Sequence, residues 1–338
     1  MNISVDLAHL TRGPLIESIH TGSIAVVDAS GKIIASAGDP QQKVAYWRSS
    51  AKPFQAMAVV ESGAIDHYGL DENELAQMCA SHAGEDIHIA TVRGILKKIG
   101  LDESYLQCGS HYPSHGPTQE RMRLAGEKPI EVHCNCSGKH SGMLALCQQI
   151  GADASNYTEL EHPVQQLDLE EVAAFTGMAK EDIIIGIDGC GVPVHGLPVY
   201  NMALAWARLV NPSGMSASRQ QAAERIRMAM MHYPYLIAGA GRTCTQLMQA
   251  LPERIVAKSG ADAVYCFALP EKGWGVALKI ADGGSRAVGP VVYRLLQQLN
   301  HFSDADLASL TAMESTIIKN HRQDVVGNIQ GVFDLTWF

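Results

Sequence analysis

Apolar alternation predicts strands near both ends of the chain. Ser23–Val27 and Ile33–Ala37 are β-prone runs separated by Asp28-Ala29-Ser30-Gly31-Lys32, a turn-rich cluster, and together they read as a hairpin. A second hairpin is predicted from Ala263–Ala268 through Leu269-Pro270-Glu271-Lys272-Gly273 to Trp274–Ile280. Between them the pattern turns helical. Ile87, Ala90, Val92, Ile95, Leu96 and Ile99 form one apolar face over Asp86–Ile99, and Met143, Leu144, Leu146 and Cys147 form another over Ser137–Ile150. Asp168–Gly177 and Ala217–Met231 are further predicted helices, with Met228, Met230 and Met231 read as core filler. Strands from both ends and a helical middle imply an α+β architecture. The apolar ending Leu335-Thr336-Trp337-Phe338 is suited to docking on the body or on a partner.

Composition narrows the class. With 338 residues, 46% hydrophobic and 18% charged, the chain has ample material for a core, and no repeat or charged linker divides it. The net charge of −9, without a basic run, argues against nucleic-acid binding. Met1–Gly13 lacks the features of a signal peptide. The most apolar stretch, Ile183–Val210, contains Asp188, His195 and Arg208 and is interrupted by Pro193 and Pro198, so a membrane span is not expected. Eight cysteines are too sparse for a disulfide scaffold. A cytoplasmic globular protein is expected.

The strongest local signal is Arg48-Ser49-Ser50-Ala51-Lys52-Pro53. In a helix starting here, Ser49 lies in the first turn, Lys52 stands on the same face, and Pro53 fits a position whose N–H is not needed. A serine hydroxyl needs a base to become a nucleophile, and a lysine serves only when burial or nearby cations keep its amine neutral. The competing reading makes Ser49 or Ser50 a helix cap and Lys52 a solvated residue. Lys258-Ser259-Gly260, directly before the predicted Ala263–Ala268 strand, has the form of the Lys-Thr-Gly element that accompanies Ser-x-x-Lys in penicillin-recognising enzymes. Ser81, in Cys79-Ala80-Ser81-His82-Ala83-Gly84-Glu85, is a candidate middle serine, although no Ser-Asp-Asn is present.

A second constellation points to metal. His133-Cys134-Asn135-Cys136-Ser137-Gly138-Lys139-His140 precedes a helix, and Asp188-Gly189-Cys190-Gly191 forms a turn. Spacing alone selects Cys136, Cys190 and either His140 or His133, a catalytic-type zinc set with one open position; the alternative is that these cysteines are small buried hydrophobes. Cys79, Cys108, Cys147, Cys244 and Cys266 read as core. His111–Gly116 reads as a turn or a pocket lining, and Gly239-Ala240-Gly241-Arg242 as a loop able to bring an arginine to a carboxylate.

Together these blocks resemble the asparaginase II family, the rhizobial-type L-asparaginases. The resemblance implies a fold like that of serine β-lactamases, penicillin-binding proteins and glutaminases. It further implies one catalytic unit over 1–338, with an antiparallel sheet from about 1–47 and 255–300 and a helical middle of about 48–254. It implies two Ser–Lys tandems, Ser49 with Lys52 and Ser81 with Lys258, with Ser49 as nucleophile and the second pair relaying protons to the leaving ammonia. It replaces histidine in the metal set, implying one zinc ion per chain held by Cys136, Lys139 and Cys190 with a water, in a positioning role. Arg48, His140 and Asp188 become candidates for orienting substrate or supporting the ligands. The expected reaction is hydrolysis of L-asparagine to L-aspartate and ammonia by a homodimer. A glutaminase, a penicillin-recognising serine hydrolase and a non-enzymatic zinc module are the alternatives.

Overall fold

The computed structural model describes residues 2–338. Twelve strands occur among them: β1 (Val5–Arg12), β2 (Leu15–Asp28), β3 (Ile33–Ala37), β4 (Val44–Tyr46), β5 (Ile184–Ile187), β6 (Pro193–Pro198), β7 (Val256–Gly260), β8 (Val264–Leu269), β9 (Trp274–Ile280), β10 (Ser315–Lys319), β11 (Val325–Gly331) and β12 (Thr336–Trp337). Nine of them make one antiparallel sheet in the order β10-β11-β1-β2-β9-β8-β7; β3 also pairs with β2, and β12 with β3. The two chain ends are joined at β2–β9, where Gly22–Asp28 runs against Trp274–Ile280 in unbroken register. Ile24, Ala25, Val26, Val27, Val276, Ala277 and Leu278 are all buried along this seam, so the sheet is covered on both faces here. Helix Val199–Val210 packs across β2, β8 and β9, and helix Val288–Gln298 packs on β1 and β11.

Both predicted hairpins are present, as β2–β3 and β8–β9, and the fold is α+β. Two expectations need correction, and a third is extended. The sheet does not stop near 300: β10, β11 and β12 extend it to Trp337. These strands are short or half-exposed and carry polar residues, so they lack the clean alternation of the inner strands. Lys258-Ser259-Gly260 leads into β8 as expected, and is itself the end of a strand, β7, paired with Val264–Cys266 of β8. The helix predicted at Asp168 begins at Pro163, where His162 accepts the Val164 N–H at 3.2 Å and Pro163 occupies the first turn.

A second, small antiparallel sheet, β4-β6-β5, pairs β4 from the N-terminal region with two strands of the apolar stretch after Ile183. Its turn between β5 and β6 carries Asp188 and Cys190. The apolar C-terminal residues dock on the body: β12 pairs with β3, and Trp337 packs on Trp274 with ring centroids 6.4 Å apart. No helix among the described residues is long and apolar enough to cross a membrane.

Candidate active site

Ser49 lies in a single 3₁₀ turn, Arg48–Ala51, that leads directly into the short helix Lys52–Gln55 with Pro53 in its first turn. Arg48 has φ of +54°, a strained conformation for an arginine. Ion pairs to Asp188, at 2.9 Å, and to Asp262 hold its side chain. The turn sits close against β7 because residue 260 is glycine: a Cβ there would lie 2.9 Å from both Ser50 Oγ and the Trp47 carbonyl oxygen. That contact brings the strand carrying Lys258 beside the turn carrying Ser49.

The segment Cys79–Glu85 approaches from the other side. The Ser81 N–H donates to the Ile237 carbonyl at 2.9 Å. The Gly84 N–H donates to His82 Nδ1 at 3.2 Å, leaving the ring proton on Nε2, 2.9 Å from Ser137 Oγ. Burial, with His88 and Lys52 nearby, drives His82 well below the usual histidine range, so it stays neutral. Helix Ser137–Ile150 in turn approaches Gln77 so closely that a Cβ on Gly138 would lie 2.1 Å from the Gln77 carbonyl oxygen.

These elements converge on one buried network. Lys258 Nζ donates to Ser81 Oγ at 2.8 Å and to the Ser259 carbonyl at 2.8 Å. Lys52 Nζ lies 3.0 Å from the same Ser81 Oγ, 3.3 Å from Cys136 Sγ and 3.4 Å from the Asn135 carbonyl, and it also donates to Ala80. None of these partners is Ser49. The helical spacing that predicts a Ser49–Lys52 pair therefore places the two residues on one turn, while the Lys52 amine is directed to Ser81. Burial lowers Lys258 to about 7; the charges of Lys52 and Arg242 push the same way against the sulfur of Cys244.

Cys136, Lys139 and Cys190 also come together. Lys139 Nζ is 3.2 Å from Cys190 Sγ, and Cys136 and Cys190 line the same cavity. Burial opposes the charge on Lys139, but Cys190, Cys136 and Asp188 outweigh it and hold the amine above its ordinary value. Hydrogen bonds from the Cys134 and Cys190 thiols lower Cys136 well below the normal thiol range. Two sulfurs and an amine, delivered by a helix start and a tight turn, fit a borderline-soft cation once the amine is neutral. No group of three or more His, Cys, Asp and Glu side chains suited to a metal occurs among the described residues, so any site here depends on the lysine. The histidines that spacing favoured lie elsewhere: His140 is fully buried with Nδ1 2.8 Å from Tyr157 Oη, and His133 Nδ1 accepts the Ile130 N–H at 3.1 Å.

Two lobes of one cleft meet at Ser49, Asn135 and Ala261, which line both. One, of about 430 Å³, holds Arg48, Asp188, Cys136, Cys190 and His111. The other, of about 650 Å³, holds Ser81, Arg242, Thr243, Ser259 and Asp262. His140 lines neither lobe and stands behind Cys136, one turn along the same helix. Sequence reasoning overlooked Asn135 and Asp262: an isolated amide and an isolated acid carry no spacing signal, and their place is visible only once the loops meet.

A serine and two buried lysines gathered round a cleft define a hydrolase-type centre. The L-asparaginase II family model matches residues 8–331, and the chain belongs to that family. A comparison with curated protein sequences returned no match. Among solved structures, the chain is similar to a β-lactamase from Mycobacterium bovis at 15% identity, covering 87% of this chain and 92% of that one, with a TM-score of 0.42. It is also similar to simvastatin synthase from Aspergillus terreus at 13% identity, over 86% and 93% of the two chains, with a TM-score of 0.40. A β-lactamase from Sphaerobacter thermophilus shows 16% identity over 84% and 93%, with a TM-score of 0.40.

Proposed function

We propose that the protein hydrolyses the side-chain amide of L-asparagine to L-aspartate and ammonia, with Ser49 as nucleophile. The observation that carries this reading is the placement of Ser49 at the junction of the two lobes, beside the network in which Lys52 and Lys258 share Ser81. The substrate's charged end faces Arg48 and Asp188 in the smaller lobe, which sets the amide carbon against Ser49. The amide nitrogen then points into the larger lobe, toward Ser81.

As Ser49 Oγ bonds to the amide carbon, its proton passes by way of the Ser81 hydroxyl to Lys258, whose amine is available in neutral form near pH 7, while the Lys52 ammonium holds the Ser81 oxygen in place. The same chain returns the proton to the departing nitrogen, and water then splits the acyl-enzyme ester. Zinc bound by Cys136, Lys139 and Cys190 would supply a fixed positive centre beside the smaller lobe. His140 supports that wall through its bond to Tyr157.

A second reading makes Ser81 the nucleophile, because its hydroxyl is the one that contacts both amines. Ammonia release from L-asparagine by the wild type, Ser49→Ala and Ser81→Ala decides between them, with mass spectrometry of the trapped acyl-enzyme. We expect turnover by the wild type, a loss on the order of 10⁴-fold or more in Ser49→Ala, and the acyl group on Ser49. An acyl group on Ser81 selects the second reading. Failure of the folded, metal-loaded wild type to release ammonia rejects both.

A further inference from the structure

The larger lobe is far bigger than its assigned leaving group. Ammonia is close in size to water, which takes about 30 Å³ in the liquid, whereas the lobe beyond Ser81 encloses about 650 Å³. A space of that size is typical of a site for a small organic molecule. Its walls are polar, with the hydroxyls of Thr243, Ser259 and Ser285, one guanidinium from Arg242 and one carboxylate from Asp262. Asp262 is engaged by Arg48. Arg242 takes no part in the ion pairs of the described residues and is exposed to the cavity.

The loop bearing Arg242 is anchored. Glu85 accepts the Ala240 N–H at 3.0 Å and the Tyr235 hydroxyl, so the segment that carries Ser81 also ties down the start of the arginine loop. Gly239, at φ of +98°, permits the close approach: a Cβ there would lie 2.5 Å from Glu85 Oε1. Arg242 is near enough to Lys258 for its charge to act on that amine. A free guanidinium thus stands on the leaving-group side of the proposed reaction.

We propose that this site also cleaves β-aspartyl dipeptides, with Arg242 holding the carboxylate of the departing amino acid. The inference rests on the asparaginase reading above. In such a substrate the carboxylate is attached to the carbon that bears the scissile nitrogen, so a nitrogen seated at Ser81 sets the carboxylate within the larger lobe. A guanidinium is the side chain best matched to it, through paired charge-assisted hydrogen bonds. The step balances as it does for asparagine: the Ser49 Oγ–carbon bond forms, the carbon–nitrogen bond breaks, and the nitrogen takes the proton stored on Lys258. Water then releases aspartate and restores the Ser49 hydroxyl.

The test compares β-aspartylglycine with β-aspartylmethylamide, which keeps the leaving nitrogen but has no carboxylate, alongside ammonia release from L-asparagine. We expect the wild type to liberate free glycine. Arg242→Ala should lower the ratio of kcat/KM for the dipeptide over the methylamide at least about tenfold, mainly through KM, with Arg242→Lys restoring part of it. The ratio cancels any influence of Arg242 on Lys258. Ammonia from asparagine without glycine from the dipeptide overturns this inference and leaves the asparaginase reading standing. Glycine release with an unchanged ratio overturns the role of Arg242. Absence of turnover on asparagine itself overturns both.

Discussion

Lys139 and Lys258 are both buried, yet their surroundings drive them in opposite directions. Lys258 faces Lys52 across the Ser81 hydroxyl, and burial, helped by the charges of Lys52 and Arg242, lowers it to about 7. Lys139 faces two sulfurs and Asp188, which outweigh burial and hold its amine above the ordinary value. Desolvation acts on both amines; the sign of the neighbours decides the result. On one side of the cleft, therefore, an amine behind Ser81 can accept a proton near neutral pH. The other holds an amine matched to anionic sulfur, which becomes a metal donor only when a cation takes over that charge balance.

Replacing Lys258 breaks the comparison most sharply. Lys258→Met should cost roughly 10²–10⁴-fold in kcat/KM on asparagine. In the wild type kcat/KM should rise as pH increases through about 7, because the lowered pKa leaves the amine neutral above it. The variant should lose that limb of the profile. The same substitution should raise the melting temperature, since an apolar side chain replaces a poorly solvated amine. A retained limb near pH 7 would assign the titration to another group.

The counterpart, Lys139→Met, should behave in the reverse way. Its raised pKa means that its charge supports the folded state at neutral pH and is lost only above the ordinary lysine range. Metal-free Lys139→Met should therefore melt lower than the metal-free wild type, by about 1–3 kcal/mol in unfolding free energy. Zinc measured in protein purified without chelators should fall from about one ion per chain to near none. Equal zinc in both proteins would remove lysine from the ligand set.

A smaller effect sharpens the comparison from the backbone. Gly260→Ala should force β7 and the Arg48–Ala51 turn apart by a few tenths of an ångström, costing about 1 kcal/mol in stability. Because it alters the Ser49–Lys258 side only, kcat should fall while zinc content stays unchanged. A parallel loss of zinc would show that the two lobes move as one.

Much of this was legible in the chain itself. The β2–β3 and β8–β9 hairpins announce themselves because β-branched runs flank tight turn clusters, and Ser49, Lys52, Ser81, Lys258, Cys136, Lys139 and Cys190 stand in recognisable blocks. The outer strands β10 and β11 were hidden because half-exposed edges tolerate polar residues and blur the period. The His140–Tyr157 bond and the neutral His82 were hidden too, since each depends on a partner remote in sequence.

Local order of residues determined the hairpins, the helix starts and the chemical types available, because those depend on neighbours a few positions away. Tertiary structure alone decided which lysine meets which serine. Lys52 is three residues from Ser49, yet its amine rests on Ser81, brought there by close packing at Gly138 and by hydrogen bonds to Ile237 and Ser137. Those contacts join segments far apart in the chain, and the electric field at each buried amine is the sum of what they bring together.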